Sequence, residues 1–117
     1  MTIQPLATYD LFPSGDSVPL AELRVEPEAI ARHFHLPLAE GEDDLGAFRY
    51  VILSLGERSP AFLYKYQESD EVFGTLVRVD AQADLTAAWK RLCRKLALHK
   101  GDKVWLNPAA LQVSHAH

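Results

Sequence analysis

Three consecutive runs of alternating side chains between Phe48 and Asp80 constrain this chain more than any other feature. In residues 48–55, Phe48, Tyr50 and Ile52 share one face, and Arg49, Val51, Leu53 and Leu55 the other. In residues 61–67, Phe62, Tyr64 and Tyr66 oppose Ala61, Leu63 and Lys65. In residues 72–80, Phe73, Thr75, Val77 and Val79 oppose Val72, Gly74, Leu76 and Arg78. A period of two with aromatic and β-branched residues specifies strands. The connectors 56–60 and 68–71 are of hairpin length, so the strands run antiparallel.

The meander is followed by a helical pattern. Asp84 suits an N-cap, and Leu85, Ala88, Trp89, Leu92 and Leu96 form one apolar stripe. Lys90, Arg91 and Arg94 lie opposite, with Lys95 on the flank. Burying each large residue of the stripe contributes about 1.5–3 kcal/mol. An earlier, shorter helix is expected from Pro27, with Glu26 and Glu28 at the positive end of its dipole, stopping before Pro37. Lys103-Val104-Trp105-Leu106 reads as a further strand, and 109–113 as a last strand or turn. The expected fold is therefore α+β: an antiparallel meander of three to five strands packed on one long amphipathic helix, with a short N-terminal helix.

The flanking segments carry weaker patterns. Residues 1–24, punctuated by Pro5, Pro13, Gly15 and Pro19, read as an irregular arm. Residues 40–46 read as a solvated acidic loop, and 114–117 as a loose tail. At 117 residues, 48% of them hydrophobic, the chain fits a single domain, 1–117, that buries about two thirds of its unfolded surface.

Composition narrows the function classes. The single cysteine, Cys93, rules out an internal disulfide and a multi-cysteine zinc site. Beside the apolar stripe its thiol reads as packing rather than as a nucleophile. His33 and His35 point to different sides of a helix, and no third ligand is well spaced, so no metal is expected. No phosphate loop, nucleophile elbow or zinc-protease signature occurs, and no cofactor is implied. An enzyme is the less favoured class. No apolar run approaches the ~20 residues of a membrane span, and the expected setting is the cytoplasm.

The net charge of −4 is unevenly placed. Residues 1–89 hold 6 Lys/Arg against 15 Asp/Glu, whereas residues 90–117 hold 6 Lys/Arg against Asp102 alone. The favoured function is a small acidic, non-catalytic binding protein of the immunity, antitoxin or regulatory-inhibitor type. It would meet a protein partner, or a second copy of itself, through acidic loops and an apolar sheet face. The acidic candidates are Glu40, Glu42, Asp43, Asp44, Glu68, Asp70 and Glu71. The alternative is a nucleic-acid or small-ligand binder that uses the aromatic face or Lys90, Arg91, Arg94 and Lys95. The two differ in one structural respect: which sheet face the helix covers. The pattern favours burial of the aromatic face beneath it.

Overall fold

The computed structural model describes residues 11–56, 58–67 and 74–111. Its elements are β1 (Ser17–Leu23), α1 (Pro27–Phe34), β2 (Ala39–Asp43), β3 (Gly46–Ser54), β4 (Pro60–Tyr66), β5 (Thr75–Asp80), α2 (Leu85–Leu96) and β6 (Lys103–Leu106). Short 3₁₀ turns at Lys100–Asp102 and Pro108–Leu111 flank β6. The strands form one antiparallel sheet in the order β2-β3-β4-β5-β1-β6.

This sheet corrects the expected fold. It has six strands, not three to five, and among the described residues it carries two α-helices, one of them short. Two strands lie where irregular chain was expected. β1 falls inside the segment read as an arm, and it sits within the sheet between β5 and β6. Its register shifts between Pro19 and Ala21, a bulge that accommodates Pro19. β6 pairs only with Ala21–Leu23, so Pro19 faces a strand on one side alone. β2 falls inside the acidic segment and forms a hairpin with β3, with Asp43 opposite Gly46. Gly46 has φ +124°, a conformation that glycine adopts without a Cβ clash. Residues 1–10, 72–73 and the tail 114–117 lie outside the described residues.

The helices cover the aliphatic face of the sheet. Val51 and Leu53 of β3, Ala61 and Leu63 of β4, and Val77 and Val79 of β5 pack with Ile30 and Ala31 of α1 and Ala88 and Leu92 of α2. Leu92 is fully buried, and Trp89 and Leu96 pack at the margin of this core. Removing the Leu92 side chain beyond Cβ would cost about 3–5 kcal/mol through lost burial and the cavity left behind.

Two ion pairs fix α1 on the sheet. Arg49 and Lys65 are register partners on β3 and β4, and both point to the helix side. Arg49 pairs with Glu28, and Lys65 Nζ lies 2.7 Å from Glu26 Oε1. The same two glutamates complement the helix dipole. Asp84 caps α2 by accepting from the Ala87 N–H, and Lys95 Nζ donates to Ser54 O at 2.7 Å, tying the far end of the helix to β3.

Candidate functional site

The face opposite the helices is aromatic. Phe48, Tyr50, Phe62, Tyr64 and Tyr66 form a second cluster with Leu11 and Phe12. The expectation of an aromatic face buried under the helix is thus overturned. The physical reason is fit: branched aliphatic side chains and alanines on the other face allow close helix–sheet packing. The rings pack on each other instead. Phe48 contacts Phe62 edge to face at 6.0 Å between centroids, and Phe62 stacks on Tyr64 at 5.0 Å. Phe12 covers part of this cluster, leaving Phe48 and Phe62 buried and the three tyrosines half-buried.

Register lays the outer face out in rows. One row crosses all six strands: Ala39, Tyr50, Tyr64, Leu76, Glu22 and Trp105. The row beside it runs Ile52, Phe62, Arg78 and Pro19. Ile52 and Trp105 are 38% and 42% exposed, so apolar surface reaches solvent at two points of this face, on β3 and on β6.

At one end of this face lies a groove of about 560 Å³. Phe48, Phe62, Tyr64 and Tyr66 form its floor, and Asp16, Glu42, Asp43 and Asp44 line it. Arg78 is the one cation among the lining residues. Its guanidinium is committed to β1, with Nε donating to Ser17 Oγ at 2.8 Å and Nη2 to Ser17 O at 2.9 Å. The groove is therefore aromatic in its base and anionic at its rim. Asp43 is held in place: Oδ1 accepts from the Leu45 N–H, and Oδ2 accepts from the Tyr66 hydroxyl at 2.6 Å. Burial, then the hydrogen bond to Asp43 and its negative charge, push the Tyr66 phenol well above its ordinary range.

The acidic candidates are thus partly united. Glu42, Asp43 and Asp44 line the groove, while Glu40 is exposed on the other face of β2, near the Gln67 amide. Glu68, Asp70 and Glu71 lie outside the described residues. Asp16, Phe12 and Arg78 were not anticipated as site residues. Asp16 and Phe12 belong to the proline-punctuated segment, which gave no strand signal, and Arg78 appeared only as an alternating position.

The cationic candidates lie on the helix layer, away from the groove. Lys90 and Arg94 are exposed on α2, and Lys95 is engaged with Ser54. Arg91 lines a second cavity of about 370 Å³ near the start of α2, together with Arg58, Asp80 and Asp84. Burial opposes ionisation of Asp80, but hydrogen bonds from the Ser14 and Gln82 backbone N–H groups prevail and hold its carboxyl below the usual range. Two carboxylates thus offset the two guanidiniums there. Burial raises the Cys93 thiol, the opposite of an activated nucleophile. Among the described residues no group of His, Cys, Asp and Glu is placed to hold a metal ion, and no helix is long and apolar enough to cross a membrane.

Comparison of the chain with protein-family models, with curated proteins and with solved structures finds no match.

Proposed function

We propose that the protein is a small non-catalytic binding domain whose outer sheet face receives a basic segment of another protein. The observation that carries this reading is the groove of about 560 Å³, in which four acidic residues line an aromatic floor and the sole lining guanidinium is already engaged. An arginine or lysine side chain fits both parts: its charge complements the rim, and its alkyl stem or guanidinium plane stacks on the rings. The nucleic-acid alternative has less support, because a carboxylate rim repels phosphate and the exposed cations Lys90 and Arg94 belong to the opposite layer.

The test is a titration of the full chain with nona-arginine, nona-glutamate and single-stranded oligonucleotide, followed by backbone and aromatic NMR shifts. The reading expects nona-arginine to shift resonances of Tyr64, Tyr66 and Asp44, with an affinity that falls as salt rises. Glu42→Gln with Asp44→Asn should weaken it several-fold. Oligonucleotide shifting the tyrosines while nona-arginine does not would overturn the proposal.

A further inference from the structure

From the edge of the sheet we infer that the basic segment docks as an extra strand beside β2, with basic and apolar side chains alternating along it. This inference rests on the binding reading above and specifies its mode. Among the described residues β2 has a strand partner on one side only, so its other side presents unpaired backbone N–H and C=O groups. The strand contains neither proline nor lysine, and its only charges are three carboxylates, which turn away an acidic neighbour and admit a basic one.

The two faces of β2 dictate the chemistry of its neighbour. Register places Ala39, Gly41 and Asp43 on the aromatic face, opposite Tyr50, Phe48 and Gly46. Glu40 and Glu42 alternate with them, opposite Arg49 and Ala47, and Glu42 also borders the groove at the end of the strand. On the aromatic face the small residues leave the rings reachable from the edge. The Phe48 ring leans over Gly41, where a Cβ would meet its Cζ at 2.7 Å. An added strand would set its basic side chains over these rings and beside Asp43, where contact of a cation with an aromatic face is favourable. Its alternate side chains would fall beside Glu40 and Glu42, where an acidic side chain is unfavourable and a neutral or basic one is accepted. Arg49 does not compensate Glu40, its register partner, because Glu28 already engages that guanidinium.

A second copy of this chain is disfavoured at the same edge. Pairing β2 with β2 would bring Glu40, Glu42 and Asp43 of each copy together, and like charges on adjacent strands destabilise the pair. Strand addition of this kind draws affinity from main-chain hydrogen bonds and selectivity from alternate side chains.

The test uses a peptide of alternating arginine and valine with the full chain. Two N-methylated versions are prepared, each methylated at one of the two alternating sets of backbone amides. In edge pairing one set faces β2 and the other faces away, so one version should lose affinity about tenfold or more and the other should bind within about twofold of the parent. Equal affinities of the two methylated peptides would overturn edge pairing, yet leave the basic-segment reading intact as long as the parent binds. A parent peptide that does not bind removes both.

Discussion

The Tyr66 hydroxyl donates to Asp43 Oδ2 at 2.6 Å, and so reaches from β4 across β3 to the end of β2. The contact closes the acidic end of the groove over its aromatic floor. It orients one carboxylate of the rim, which otherwise stands on an exposed turn.

Titration of the tyrosines reads this contact directly. The Tyr66 phenol is raised above its ordinary 10.0, so folding favours its protonated form. Its contribution to stability is complete below pH of about 10 and is lost as pH climbs towards the raised value. Spectrophotometric titration should show a final tyrosine step above the ordinary phenol range, belonging to Tyr66. Tyr66→Phe should remove that final step, and Asp43→Asn should bring it down.

Acid unfolding should report on Asp80. Its carboxyl is held below 3.8 by the Ser14 and Gln82 N–H groups despite its burial. The folded state thus prefers the ionised form, and the stabilisation is present above about pH 4 and lost as pH falls below it. Asp80→Asn should lower stability at pH 7 by about 1–3 kcal/mol and flatten the acid limb of a denaturation series. An unchanged acid limb in Asp80→Asn would contradict the assignment.

Two glycines should respond differently to alanine. At Gly74 a Cβ would fall 1.6 Å from the Leu23 carbonyl oxygen, a clash with backbone that only a shift of β1 or β5 relieves. At Gly41 it would meet the far end of the Phe48 ring, which can tilt. Chemical denaturation should show Gly74→Ala costing about 3 kcal/mol or more and Gly41→Ala about 1 kcal/mol.

Stability can also be added. α2 ends on Ala97, whose φ of 52° is left-handed, with its N–H donating to Arg94 O and the Leu98 N–H to Cys93 O. Glycine takes this conformation without the Cβ penalty. Ala97→Gly should therefore raise the unfolding free energy by about 0.5–1 kcal/mol, read as a higher denaturation midpoint.

The elements written in the sequence were those whose periodicity burial enforces. β3, β4 and β5 alternate because one face of each packs against helices and the other against rings. α2 carries its stripe for the same reason, with Ala88 and Leu92 turned to the sheet. β2 escaped notice because an edge strand reading Ala-Glu-Gly-Glu-Asp needs little burial and is mostly held by backbone pairing to β3. β1 was obscured by Pro19 and by the bulge, which interrupts the alternation midway. The pattern pointed to the wrong face for the helices, because alternation does not rank two apolar faces. Phe48, Tyr50 and Ile52 are as apolar as Val51, Leu53 and Leu55, and only the packed helices distinguish them. Three of the four acidic residues of the groove's rim were visible as a charge run, but Asp16 joins it through the topology of β1.

The placement of β1 has a kinetic consequence. Strands β2 to β5 are joined to their neighbours in chain order, and hairpins of that kind close within microseconds. β1 must instead find β5, with Ser17 opposite Asp80, and then be flanked by β6. Contacts of such sequence separation form slowly. The rate-limiting event in folding is therefore expected to be the docking of the first described strand between two late ones. Until then the newly formed β5 exposes an unpaired edge, and protection of its amides from hydrogen exchange should lag behind that of β3 and β4.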